Sequence, residues 1–72
     1  MQNVKVQAVW DDEARVWVAE SKDVPGLATG ASTLEQLILK LETLVPELLE
    51  INQLPHQVGI QLDAHRDLVA AF

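Results

Sequence analysis

The chain has 72 residues, of which 49% are hydrophobic and 22% charged, and its formal net charge is −6. A chain this short would leave each half without a core if it were divided, so residues 1–72 are expected to form one domain. This composition excludes intrinsic disorder, and no apolar run approaches the about 20 residues of a membrane span.

Cysteine chemistry, secretion, and binding to nucleic acid or to an anionic membrane are also disfavoured by the sequence. The absence of cysteine removes disulfides, thiol catalysis and thiolate metal sites, and is compatible with a reducing compartment. The first residues begin a strand-like pattern and not a signal peptide, so a cytoplasmic location is expected. The acidic balance argues against binding to nucleic acid or an anionic membrane, and it favours a basic partner.

The first predicted element is a β-hairpin formed by residues 4–10 and 15–20. Apolar and polar side chains alternate along the first run, and the second run is rich in valine and tryptophan. The acidic residues 11–14 separate the two runs and are predicted to form a four-residue loop.

That loop fixes a predicted pairing of the two strands. Trp10 would lie opposite Arg15, and Lys5 would form a favourable cross-strand charge pair with Glu20. One face of the hairpin would then pack on the core, and it carries Val6, Ala8, Trp10, Trp17 and Ala19. The other face carries Val9, Val16 and Val18.

A turn and a short strand follow the hairpin. Pro25 and Gly26 suit the central positions of a type II turn, because glycine tolerates the positive φ angle that this turn requires. Residues 27–31 are predicted to form the third strand. Ser32 is then the expected helix cap, because Glu35 follows it at the capping-box spacing.

The helix is predicted to continue to about Ile51. Pro46 cannot donate a hydrogen bond to the carbonyl of Glu42, so a kink is expected there. Leu39 breaks the pattern and points into the polar face. The expected apolar stripe consists of Leu34, Leu37, Ile38, Leu41, Val45 and Leu48, flanked by Leu44 and Leu49.

The fourth strand is predicted where Val58, Ile60 and Leu62 alternate with polar residues. A crossover helix of this length lets the last strand run parallel to the first. The expected fold is therefore α+β, with element order β-β-β-α-β, mixed-sheet strand order 3-2-1-4 and one long helix on one face. Residues 64–72 could form two helical turns or pack on a second subunit.

The sequence contains no pattern that is typical of a catalytic or cofactor site. The acidic run at residues 11–13 is expected to be a solvated turn and not a metal site. His56 and His65 flank the fourth strand and are too far apart to share a metal ion. No nucleophile motif and no phosphate-binding glycine motif occurs, so neither an enzyme nor a cofactor is expected.

One apolar patch remains to be explained. A single helix covers only one side of the sheet, so Val9, Val16 and Val18 are expected on the open side, where a protein partner could bind. Leu39 is a fourth candidate for partner contact. The alternative is that these valines merely reflect strand propensity on an exposed face.

The segments at residues 9–27, 32–37 and 45–52 resemble the HicB-like antitoxin superfamily, and more closely a branch of short, uncharacterised bacterial domains. The most specific piece is the hairpin followed by Ser-x-Asp-x-Pro-Gly-Leu and a capped helix. The resemblance implies a partial RNase H-like fold. It also implies binding without catalysis, in which the domain occludes a small, basic, RNA-cleaving toxin of the HicA type.

Many members of that superfamily also carry a C-terminal DNA-binding domain. The residues that follow the predicted fourth strand are too few for such a module, so no separate DNA-binding domain and no direct contact with nucleic acid are expected. One alternative is a metal-dependent nuclease of RNase H type. Asp11 lies near the position of a catalytic aspartate in such enzymes, although the other acids have no match. A second alternative to the antitoxin role is an orphan domain without a toxin partner.

Self-association is the last expectation from the sequence. A domain this small has marginal stability, and it has neither a disulfide nor an evident metal site to reinforce it. The short chain, the open valine face and the apolar tail together predict a homo-oligomer, either a dimer or a larger assembly.

Overall fold

The computed structural model describes residues 3–70 and contains four strands and one helix. These are β1 (Asn3–Asp11), β2 (Val16–Glu20), β3 (Ala28–Ala31), α1 (Leu34–Ile51) and β4 (Gly59–His65). The strands form one mixed sheet in the order β3-β2-β1-β4, in which β1 is antiparallel to β2 and parallel to β4. The predicted α+β class, element order and strand order are confirmed.

The core lies between α1 and one face of the sheet. Alternate residues of β1 and β2 point into it, as the period of a strand requires, and α1 contributes a stripe at helical spacing. The buried apolar residues are Val4, Val6, Ala8, Trp17, Ala19, Val24, Leu27, Ala31, Leu37, Leu41, Val45 and Leu49.

The pairing within the hairpin differs from the prediction by two residues. Trp10 lies opposite Trp17, not opposite Arg15, and Glu20 lies opposite Gln7, not opposite Lys5. The predicted charge pair between Lys5 and Glu20 is therefore wrong. The assignment of side chains to the two faces is correct, because a shift of two residues returns every side chain to the same face.

The hairpin loop explains this difference. Arg15, the last residue of the loop before β2, has a left-handed backbone (φ 59°), and its N–H donates to the carbonyl of Asp11 at 2.8 Å. The side chain of Asp11 also accepts hydrogen bonds from the backbone N–H groups of Glu13 and Ala14, both at 3.1 Å. Asp11 thus ends β1 and organises the turn, so the loop begins one residue later than predicted.

The segment after β2 closes against β1. The N–H of Lys5 donates to the carboxylate of Asp23 at 2.8 Å, and the Ser21 hydroxyl donates to the carbonyl of Lys5. The predicted type II turn follows, with Gly26 at φ 82° and the N–H of Leu27 donating to the carbonyl of Val24 at 3.2 Å. The serine and aspartate of the Ser-x-Asp-x-Pro-Gly-Leu segment therefore bind backbone groups that β2 is too short to reach.

The helix begins one residue later than predicted. Thr33 is the N-cap, and its hydroxyl accepts a hydrogen bond from the N–H of Gln36 at 3.2 Å. Thr33 and Gln36 have the capping-box spacing themselves, and the Ser32 hydroxyl instead contacts the Gln36 side chain at 2.9 Å. The helix continues through Pro46 to Ile51, so its predicted end is confirmed.

Two parts of the predicted apolar pattern are less buried than expected. Ile38 belongs to the predicted stripe but is 42% exposed, because it points toward β4 at the edge of the sheet. Trp10 is only half-buried. Residues 66–70 form neither helix nor strand, and Phe72 lies outside the described residues. Within residues 3–70, no helix combines the length and hydropathy that a membrane crossing requires.

Candidate protein-binding surface

The face of the sheet opposite α1 carries a patch of three valines, Val9, Val16 and Val18, which we name the valine patch. Val9 and Val18 are a cross-strand pair, and Val16 follows at the next position on the same face, opposite Asp11. Val9 is 50% exposed and Val18 is 41% exposed, although both lie in the middle of the sheet. The predicted grouping of these residues on one uncovered face is confirmed, whereas their role in binding stays a prediction.

On the β3 side, the surroundings of the valine patch keep it open. Gly30 of β3 is the cross-strand neighbour of Val18, so no side chain covers the patch from that strand. A Cβ atom at Gly30 would lie 2.9 Å from the carbonyl oxygen of Trp17, which is closer than real Cβ contacts. Glycine is therefore required by the close approach of two backbones, and the exposure of Val18 follows from it.

Carboxylates border the valine patch, and we name them the acidic rim: Asp11, Glu20 and Asp63. Asp11 is opposite Val16, while Glu20 and Asp63 flank Gln7 from the two neighbouring strands. All three side chains are exposed. His65, the β4 neighbour of Val9, completes the border. An apolar centre with a polar border matches the usual layout of a protein interface.

The carboxylates of the hairpin loop have structural partners. One oxygen of Asp11 binds two backbone N–H groups of the turn, as described above. The carboxylate of Asp12 accepts hydrogen bonds from Nε1 of Trp10 at 3.3 Å and from the Arg15 guanidinium at 3.0 Å. Among residues 3–70, no three histidine or carboxylate side chains converge on a point where they could hold a metal ion. The acidic loop therefore provides turn structure.

Leu39 does not join the valine patch. It is 65% exposed on α1, in the other layer of the fold, where it lines a shallow groove with Thr43 and Leu44. The structure therefore divides the four predicted contact residues into two separate surfaces, and only the three valines form a continuous one.

Sequence reasoning missed one cluster, at the end of β1. The Arg66 guanidinium stacks over the ring of Trp10, 4.1 Å from its centroid, and closes a core that α1 leaves open there. The alternation of β4 could have indicated this cluster. Arg66 follows Leu62 and Ala64 at the core-facing positions, and β4 is parallel to β1. The sequence predicts that Trp10 packs under the helix, but a cation covers it instead.

Comparison with known proteins identifies relatives of unknown role. The family described as a domain of unknown function, DUF1902, matches residues 3–71. The crystal structure of hypothetical protein TTHA1013 from the extremely thermophilic bacterium Thermus thermophilus is similar, with a TM-score of 0.77 and 52% sequence identity. The match covers 99% of this chain and 100% of that one. No curated protein matches the chain.

Proposed function

We propose that this chain, which belongs to the DUF1902 family, is a protein-binding domain that occludes a small, basic, RNA-cleaving toxin of the HicA type. The valine patch carries this proposal, because it is an exposed apolar surface at the centre of a sheet and is bordered by carboxylates. The resemblance of residues 9–27 to HicB-like antitoxins supplies the class of partner.

The physical properties of this surface suit a basic partner. Desolvating the exposed valine side chains on binding stabilises a complex at about 25 cal/mol per Å² of apolar area. The acidic rim and the net charge of −6 raise the rate at which a cationic partner arrives in the right orientation. The apolar centre then provides affinity, and the rim provides selectivity for positive charge.

The alternative of a metal-dependent nuclease has weaker support. Its strongest candidate residue is Asp11, whose carboxylate oxygen already accepts two backbone hydrogen bonds in the hairpin turn. The other two acids of the loop follow it directly in the sequence and do not converge with it from another element. An orphan domain without a toxin partner is the remaining alternative, and the following experiment addresses it.

The test begins with the reading frames beside this gene: a short, basic, RNA-cleaving protein encoded there is purified and mixed with the domain. We expect the domain to inhibit RNA cleavage by that protein at equimolar concentration. Val18→Lys should weaken inhibition at least about tenfold, because an unpaired lysine in an apolar interface is costly. On the free domain, the same change should cost less than about 1 kcal/mol of unfolding free energy.

Leu39→Lys is the matched control, since Leu39 is more exposed than Val18 but lies on α1. It should leave inhibition unchanged. If no short basic protein is encoded beside the gene, or if cleavage continues when the domain is in excess, the toxin assignment is contradicted. Equal effects of the two lysine variants would contradict the assignment of the binding surface.

A further inference from the structure

Strand β4 is an edge strand with a free outer side. It has seven residues and pairs with β1 on one side only, and no segment within residues 3–70 pairs with its other side. A free edge of this length presents unpaired N–H and C=O groups that can template another strand. Proteins usually blunt such edges with proline or a bulge, and residues 59–65 contain no proline.

An apolar groove runs beside this edge, between α1 and β4. Its volume is about 230 Å³. The five residues that line it are Ile38, Leu41, Glu42, Ile60 and Leu62. It exists because the helix lies over β2 and β3, so the core-facing side of β4 is only half covered. Ile38 is exposed for the same reason. We name this feature the edge groove.

Two apolar side chains after β4, Leu68 and Val69, stay largely exposed, although they line a cleft with Val9 and Trp10. Residues 66–70 continue from β4, and Leu68 is 78% exposed and Val69 97% exposed. Extended as a continuation of β4, the tail would place Leu68 on the core-facing side, like Ile60 and Leu62, and Val69 on the opposite side. The tail therefore offers one leucine to the layer in which the edge groove lies.

We propose that two copies of this chain form a dimer through antiparallel pairing of their β4 strands, centred on Ala64. In this register Asp63 faces His65 of the second copy, and Gln61 faces Asp67 of the second copy. An imidazole N–H or an amide N–H thus meets a carboxylate at each of these positions, and the two-fold axis repeats each pair. Within one chain, Nε2 of His65 also contacts the Asp67 carboxylate at 3.1 Å.

Other centres on the strand are less favourable. Centring on Asp63 places that carboxylate opposite its own copy, and centring on His65 places Asp63 opposite Asp67. Both registers set like charges against each other. Centring on Leu62 moves Leu68 of the second copy beyond the end of β4, opposite His56. Ala64 is the centre that sets an N–H donor opposite each carboxylate and also gives the tail a binding place.

The Ala64 register brings Leu68 of the second copy opposite Ile60, at the mouth of the edge groove. Each tail then covers the groove of the other copy, and the four-stranded sheets join into one of eight strands. Because the two-fold axis is perpendicular to the sheet, both valine patches lie on one side of the dimer. This proposal rests on β4 and the tail and is independent of the proposed toxin binding.

A charge-swap series tests the register by sedimentation equilibrium at micromolar concentration. The unmodified chain should show twice its mass of 8.0 kDa. Asp63→Lys and His65→Asp should each weaken dimerisation at least about tenfold, because the first removes the carboxylate that accepts the imidazole N–H and the second sets two carboxylates face to face. The double variant should restore it, since lysine then faces aspartate. Monomers at all concentrations, or no recovery in the double variant, would overturn the proposal.

A second pair of variants tests the tail. Leu68→Asp should weaken dimerisation at least about tenfold because it puts a charge into an apolar groove, whereas Val69→Asp on the opposite face should change it little. Circular dichroism should be the same for both, because both side chains are exposed in the single chain.

Val18→Lys separates this proposal from toxin binding, since it should leave the dimer intact. If Val18→Lys dissociates the dimer and Leu68→Asp does not, the copies associate through their valine patches, and the edge pairing is wrong.

Discussion

Trp10 and Trp17 face each other across the β1–β2 hairpin, with ring centroids 5.5 Å apart and an interplanar angle of 66°. An edge-to-face pair of this kind contributes about 0.5–1.5 kcal/mol beyond the area that it buries. The pair therefore favours the observed register over one in which Trp10 faces a residue of the loop. It also closes the end of the core that lies farthest along β1.

Arg66 extends this aromatic cluster, and its removal should expose Trp10. Arg66→Ala should increase acrylamide quenching of tryptophan fluorescence and cost less than about 1 kcal/mol of unfolding free energy, the range of a partly exposed cation–π contact. Arg15→Ala is the control, because its guanidinium lies farther from the Trp10 ring, at 5.5 Å compared with 4.1 Å. Equal quenching in both variants would contradict the assigned role of Arg66.

Leu41 tests the position of the helix over the sheet. It is buried at the centre of the α1 stripe, so Leu41→Ala should lower the free energy of unfolding by about 2–5 kcal/mol in urea titrations. Leu39→Ala should change it by less than about 0.5 kcal/mol, because Leu39 faces solvent two positions earlier. Similar losses from the two variants would mean that α1 is rotated about its axis.

The overall fold was predictable because local patterns and topology rules agree. Alternation in β1 and helical spacing in α1 directly predicted which faces are buried. The long crossover helix before the last strand predicted that β4 runs parallel to β1. The hairpin register was not predictable in the same way. It depends on whether Asp11 belongs to the strand or to the turn, and that is decided by side-chain hydrogen bonds and by the left-handed Arg15.

The helix cap provides a third prediction. Thr33→Ala should lower the free energy of unfolding by about 1 kcal/mol, because the hydroxyl satisfies the N–H of Gln36. Ser32→Ala should cost only a few tenths of a kcal/mol, since Ser32 contacts only an exposed side chain. A larger effect at Ser32 would show that the helix begins one residue earlier.

The close approach of β3 and β2 provides a fourth prediction. Gly30→Ala should destabilise the fold by about 1–3 kcal/mol, because the new methyl group meets the backbone carbonyl of Trp17, which cannot move without shifting β2. Gly59→Ala should cost less, since its new methyl group meets only the side chain of Asn3, which can rotate away. Thermal unfolding of the two variants checks this order.

The candidate surface was predictable only in part. The valine patch followed from alternation, because a shift of two residues does not change which face a side chain occupies. The acidic rim required the true register, since Glu20 and Asp63 flank Gln7 only when all three strands are aligned. Leu39 was grouped with the valines by its chemistry alone, although the predicted helix already lay on the opposite side of the sheet from them.

Methyl NMR spectroscopy of the valine-labelled domain, titrated with the toxin whose RNA cleavage it inhibits, tests the binding surface most directly. We expect the methyl signals of Val9, Val16 and Val18 to shift or broaden. The signals of Val6 in β1 and Val45 in α1, which are fully buried in the core, should stay in place. Unchanged signals from the valine patch in a titration that reaches saturation, or changes confined to the helix side, would contradict the proposed binding surface.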